Sequence, residues 1–321
     1  MPPPPYDRPG QGEPPLPKPY DFVPFPTRRE DRQQPMGHDR YVQDRRTGSL
    51  EGTLTALSPV HVASGSIELR TGRPSLMKAH FRSGGRPVIP ATSLKGAIRS
   101  IVEAISAPPS CMRTARPRLE GLPRNVQTCG DPKLLCVACR LFGAMGYMGR
   151  IQFRDAVLEE GKETQILTIP SLFAPRPREH VYYNGNQLRG RKFYMHGLKE
   201  GKPAPGNVPI EVCPKDSIFT VRIDFENLTD GELGLLWTAL GQGNTPFIPK
   251  IGGGKPACCG SVQPVFRLVL AQAPSALDFD PPAQNPPDLN QRTEMVDPES
   301  LRRLAEILQF PGERRCPDRN Y

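Results

Sequence analysis

The sequence predicts an α+β fold with the element order β-α-β-β-α-β, on three observations. Residues 217–226 alternate strictly, with Phe219, Val221, Ile223 and Phe225 on one face and Thr220, Arg222, Asp224 and Glu226 on the other. Leu94, Ala97, Ile98, Ile101, Val102 and Ile105 recur at helical spacing as one apolar stripe. Thr229 and Glu232 stand three apart ahead of Leu233, Leu236, Trp237 and Leu240, the spacing of a capping box opening a second helix.

The elements follow in order. Residues 50–57 are rich in β formers and read as the first strand, with a loop over 58–88. The first helix opens at Thr92 or Ser93, after the Ile89-Pro90 turn, and Pro108-Pro109 stops it. Residues 150–157 form the second strand and 217–226 the third. The second helix runs from the capping box to Gly241, and the last strand covers 262–270. This order is the ferredoxin-like arrangement, whose four-stranded antiparallel sheet is a common RNA-binding platform.

Proline and glycine divide the 321 residues unevenly. Residues 1–48 read as a Pro-rich N-terminal arm. Residues 49–272 form the core, and 273–321 a tail with a short helix near Leu301, Leu304, Ile307 and Leu308. Lysine and arginine number 42 against 33 acids, a net charge of +9 that favours an anionic partner. No apolar run reaches the roughly 18 residues of a membrane span, and no secretory leader is visible, so a cytoplasmic protein is expected. Its eight cysteines are then expected to be reduced and available for metal.

Four of them, Cys111, Cys129, Cys136 and Cys139, fall in a C-x17-C-x6-C-x2-C pattern inside a Pro- and Gly-rich insertion, 108–140. The closing Cys-x-x-Cys lets two thiolates reach one tetrahedral ion, so the set predicts a structural zinc site. Cys258 and Cys259 read as small loop residues, and Cys213 and Cys316 as isolated.

Two segments suit phosphate. Ser93, Lys95 and Arg99 sit at the start of the first helix, with Lys95 and Arg99 one turn apart. Gly252, Gly253, Gly254 and Lys255 form a glycine run ending in a cation, though without the spacing of a Walker A loop. A second insertion, 165–216, interleaves Arg176, Arg178, Arg189, Arg191, Lys192, Lys199 and Lys202 with Phe173, Tyr182, Tyr183, Phe193 and Tyr194. Cations for phosphates and rings for bases is a single-strand-binding composition.

Taken in order, Ile-Pro-Ala-Thr-Ser-Leu-Lys-Gly-Ala-Ile-Arg (89–99), Leu-Phe-Gly (141–143), Gly-Arg-Ile-Gln-Phe-Arg-Asp-Ala (149–156) and the glycine loop (252–260) resemble the RAMP superfamily of CRISPR-associated proteins. The likeness is to the backbone-type subunits of type III effector complexes. Pro19–Pro26 and Gly190–His196 further resemble a subgroup with an N-terminal Asn/Asp-Phe-Val-Pro element. The resemblance implies a ferredoxin-like palm, a zinc-clamped insertion at 108–140 and a thumb at 165–216. It also implies that Ser93, Lys95 and Arg99 hold guide-RNA phosphates, that Gly252–Lys255 approach the same backbone, and that the partners are guide RNA, complementary target RNA and other RAMP subunits.

Target-cleaving members carry an aspartate between the first strand and this helix. Residues 58–88 contain none, and Glu68 is their only acid. The expectation is therefore a guide-RNA-binding subunit without catalysis. The alternatives are an endoribonuclease, either metal-dependent through Glu68 or metal-independent through His61 or His80, and a structural end cap of the same complex.

Overall fold

The structure is a computed structural model that describes residues 18–69, 71–113, 120–172, 180–200, 203, 205–271 and 285–317. Its strands are β1 (Tyr20–Pro24), β2 (Arg46–Ala56), β3 (Ala63–Leu69), β4 (Leu76–His80), β5 (Arg82–Ser83), β6 (Arg86–Ile89), β7 (Ile151–Phe153), β8 (Ala156–Leu158), β9 (Gln165–Ile169), β10 (Tyr183–Asn184), β11 (Gln187–Leu188), β12 (Gly190–Tyr194), β13 (Val208–Val212), β14 (Ile218–Leu228) and β15 (Val262–Leu270). Its helices are α1 (Ala91–Ile105), α2 (Val137–Phe142), α3 (Asp230–Ala239) and α4 (Pro298–Ile307).

The main sheet runs β15-β2-β14-β8-β6-β5, and β7 also pairs with β14. All of these pairings are antiparallel. The alternation read in 217–226 buries Phe219, Val221, Ile223 and Phe225 together with Leu50 and Leu54 of β2. These side chains meet Leu94, Ile98, Ile101 and Val102 of α1 and Leu233 and Leu236 of α3 in one core. The α3 capping box is formed: Thr229 Oγ1 accepts from the Glu232 N–H at 3.0 Å, and Glu232 accepts from the Thr229 N–H at 3.1 Å.

Residues 58–88, expected as a loop, contain β3 to β6. β3 is exposed along its whole length and its pairing with β4 shifts register across Ser64-Gly65-Ser66, so it shows no buried-face period. With β4 it forms a hairpin that joins a second sheet, β3-β4-β13-β9. β6 extends the main sheet through β8 and delivers Pro90 to the start of α1.

Both flanking segments dock on the core. β1 pairs antiparallel with β12, Tyr20 opposite Tyr194 and Phe22 opposite Lys192, and Tyr20, Phe22 and Val23 are buried. Asp297 caps α4 by accepting from the Ser300 N–H at 2.8 Å, and Leu301, Leu304 and Ile307 are buried. Arg303 of α4 donates to Asp21 of β1 at 2.5 Å, joining the N-terminal and C-terminal segments. Few apolar residues suffice here because the core supplies the apolar surface they pack against.

Of the expected basic insertion, Phe173, Arg176, Arg178 and Lys202 lie outside the described residues. Among those described, no helix is long and apolar enough to cross a membrane.

Candidate nucleic-acid interface and metal centre

α2 begins one residue after Cys136, so Cys139 follows it within one helical turn. Cys111 comes just beyond the end of α1, and Cys129 precedes α2 from the insertion. Their four sulfurs lie within 4.8 Å of one another and all four residues are buried. Cys111 Sγ stands 3.5 Å from Cys139 Sγ and 3.6 Å from Cys136 Sγ. A tetrahedral ion with bonds of about 2.3 Å needs sulfurs roughly 3.8 Å apart, so the cluster could hold a metal ion after slight relaxation. Backbone donors already face the sulfurs: the Cys111 N–H reaches Cys136 Sγ and the Cys136 N–H reaches Cys129 Sγ, each at 3.4 Å. Such outer contacts orient metal ligands. Two strips of the N-terminal segment close over the insertion. Asn125 Nδ2 donates to the Pro26 and Arg28 carbonyls at 2.5 and 2.8 Å, and Gln33 pairs with Leu135.

Arg99 belongs to this centre. Helical spacing assigns it to the polar face with Lys95, yet it is only 8 % exposed. Its guanidinium donates to Glu103 at 2.7 Å, to the Gly143 carbonyl at 2.7 Å and to Cys139 Sγ at 3.1 Å. Glu103 also pairs with Arg191 of β12. Arg99 and Arg191 are thus engaged inside the protein. The partners of Arg99 lie up to 44 residues away, where no local period can show them.

The start of α1 differs from an open anion site too. Asp155, in the break between β7 and β8, accepts from the Ala91 N–H at 2.8 Å, while the Ser93 and Leu94 N–H groups bond to the Pro90 carbonyl. Among the groups that remain for a ligand are the Ser93 hydroxyl and the Lys95 ammonium. Lys95 has no hydrogen-bond or ion-pair partner among the described residues, and burial, then Arg99 and Arg113, push its pKa down.

Gly252 and Gly254 take left-handed φ values of +83° and +67°, which glycine adopts without strain. A side chain at Gly252 would bring its Cβ to 2.2 Å from the His61 carbonyl, which also accepts from the Gly253 N–H at 2.7 Å. Lys255 follows, likewise without a side-chain partner among the described residues and pushed down by burial. Leu94, between Ser93 and Lys95, and Ile251, just before Gly252, are both buried and line the same small apolar cavity inside the core, so the two segments are anchored on one part of it.

On β12, Lys192 is enclosed by three tyrosine rings, its ammonium 4.6 Å from the centroid of Tyr20, 5.2 Å from Tyr182 and 4.9 Å from Tyr194. It also donates to Tyr194 Oη at 3.1 Å. Arg189 lies over Phe22 at 5.3 Å.

The histidines are constrained. His80 accepts from the Val62 N–H at Nδ1 and donates from Nε2 to the Val88 carbonyl, so both nitrogens are used and no lone pair is left for a base. Burial pushes its pKa to about 4. His61 donates from Nδ1 to the Glu211 carbonyl at 2.6 Å, which fixes its tautomer, and burial lowers its pKa as well. Glu68 is exposed on β3 and forms no ion pair among the described residues.

A further surface escaped the sequence reading. On the solvent face of the main sheet, Arg267, Glu51, Arg222, Asp224 and Arg154 form a continuous ionic ladder with steps of 2.6–2.9 Å. It crosses a groove of about 820 Å³. The alternation of residues 217–226 marked Arg222 and Asp224 as outward-facing, but their neighbours on other strands were not readable.

The RAMP superfamily matches the chain over residues 53–263. The chain belongs to the RAMP superfamily. Members bind RNA and work in CRISPR complexes, so a CRISPR-associated RNA-binding role follows. The matched span runs from β2 to the first residues of β15 and includes α1, the four cysteines and the glycine loop. No curated protein matches the chain.

Proposed function

We propose that this RAMP protein is a guide-RNA-binding backbone subunit of a type III CRISPR ribonucleoprotein, holding RNA without cutting it. The observation that carries the reading is that the α1 start and the glycine loop are anchored on one core cavity and each carries a cation. Two ammonium groups without protein partners among the described residues, Lys95 and Lys255, belong to segments whose buried residues Leu94 and Ile251 line one interior cavity. A phosphate chain would supply the missing counter-charge, and glycines let a backbone approach closely. Ser93 and the turns at Gly252, Gly253 and Gly254 complete the groove. Arg99 and Arg191 support it from behind, while Arg189, Lys192 and Tyr194 offer a second, aromatic-flanked contact.

The antiparallel order β15-β2-β14-β7/β8 supports a ferredoxin-like palm, with the helices that follow β2 and β14 on its buried face. The four cysteines would hold structural zinc, since four thiolates fill a tetrahedral ion and leave no open position.

Retention of guide RNA by the assembled complex tests the binding reading. Lys95→Glu with Lys255→Glu should release RNA at a salt concentration where the wild type keeps it. Incubation with Mg²⁺ and complementary RNA tests the rest: cuts that vanish on Glu68→Ala would establish the endoribonuclease instead.

A further inference from the structure

Cys258 and Cys316, 58 residues apart, are joined by a disulfide with Cα atoms 5.7 Å apart. Neither the expectation of reduced cysteines nor the reading of Cys316 as isolated holds for this pair. The fold lays the C-terminal segment against the glycine loop and brings the two sulfurs together.

The surroundings are fitted to this bond. Cys258 lies four residues after Gly254 and has a left-handed φ of +67°, a conformation that costs a non-glycine residue energy unless its surroundings fix it. Gly197 makes room for both sulfurs, since a Cβ there would come within 2.6 Å of Cys258 Sγ and 3.0 Å of Cys316 Sγ. Otherwise the segment is held by polar contacts. The Leu198 N–H donates to the Arg314 carbonyl at 3.0 Å, the Gly312 N–H to the Gly197 carbonyl at 2.9 Å, and the Arg314 guanidinium to the Pro256 carbonyl at 3.0 Å. Pro311, Glu313 and Arg315 are exposed, so little apolar burial holds 311–316 in place.

We propose that Cys258 and Cys316 form a reversible thiol–disulfide switch whose bond clasps the C-terminal segment to the glycine loop and fixes the loop's shape. Its substrates are dithiols in one direction and disulfides in the other. Cys316 is the point of attack, because it is the less buried residue: it is half-buried while Cys258 is only 2 % exposed. A dithiol's thiolate attacks Cys316 Sγ, the protein S–S bond breaks, and Cys258 leaves as a thiolate and takes up a proton. The second thiolate of the reductant then displaces Cys316, closing a disulfide within the reductant. The protein gains two electrons and two protons, and the reductant loses them. Neighbouring Cys259 stays out of the exchange, since burial pushes its thiol up to about 11. Reduction frees the loop that carries Lys255, and through the guide-RNA reading, on which this consequence rests, it weakens the grip on RNA.

Hydrogen exchange on the full-length, metal-loaded chain tests the switch, before and after dithiothreitol and again after glutathione disulfide, beside a Cys316→Ser variant. A Cys258–Cys316 linked peptide is expected without reductant. Reduction should raise exchange in 250–260 and 312–317 about tenfold, reoxidation should restore protection, and Cys316→Ser should exchange fast throughout. Because the four-cysteine cluster is unaltered in Cys316→Ser, fast exchange there cannot come from metal loss to the reductant. Both cysteines free after glutathione disulfide, or a linked pair whose reduction leaves exchange unchanged, would overturn the proposal. Guide-RNA affinity should fall about tenfold on reduction. If neither state binds RNA, the guide-RNA reading fails while the exchange result still decides the switch.

Discussion

Arg99 donates to Cys139 Sγ at 3.1 Å, so the helix that presents Lys95 is tied to the four-cysteine cluster. Glu103 takes the same guanidinium at 2.7 Å and also pairs with Arg191 on β12. The four-cysteine cluster and the two basic segments are joined through Arg99 and Glu103.

Arg99→Met should therefore act on the metal site. Removing one member of a buried ion pair costs about 3–5 kcal/mol, and loss of a group that orients metal ligands weakens metal binding about 10–100-fold. Thermal unfolding and metal retention against a chelator check this. Unchanged metal retention would separate Arg99 from the cluster.

Zinc at about one equivalent per chain is expected in protein purified without added metal, and a strong chelator should lower the unfolding midpoint. Metal analysis and calorimetry read both. Metal-free protein with the same midpoint would rule out a structural ion.

Gly96 sits inside α1, and a Cβ built there meets nothing within 4 Å. Gly96→Ala should stabilise the helix by about 1 kcal/mol. If an RNA backbone passes over this turn, the same methyl should lower RNA affinity. A higher melting temperature with weaker binding is the expected combination, and unchanged binding would move the RNA away from α1.

Acid should destabilise the fold through buried neutral histidines. Burial lowers His80 to about 4 and His196 to about 3, against 6.5 for the unfolded residue. Their contribution is complete above pH 6.5 and is lost as pH falls towards those values, because only the unfolded chain takes up the protons. At roughly 1.4 kcal/mol per pH unit, each costs about 2 kcal/mol at pH 5. Urea unfolding of wild type and His196→Gln at pH 7 and pH 5 should show a smaller acid loss in the variant.

Legibility followed the range of the interactions. The period of β14, the stripe of α1 and the Thr229–Glu232 box are set by residues close in sequence, and they could be read. So could the cysteine set, because the Cys-x-x-Cys spacing is itself the geometry. The β3–β4 hairpin could not, since its outer strand buries no face. The burial of Arg99 could not, since a helical wheel assigns arginine to the polar side and cannot show a sulfur 40 residues away. The Asp155 cap of α1, the β1–β12 pair and the Cys258–Cys316 bond were hidden for the same reason.

Lys95 and the glycine loop are proposed to form a groove for guide RNA. The most direct test is the salt dependence of guide-RNA binding by wild type and Lys95→Glu. Loss of one single-strand phosphate contact should flatten the slope of log K against log salt by about 0.7 and weaken binding. An identical slope and affinity in the variant would remove Lys95 from the RNA site.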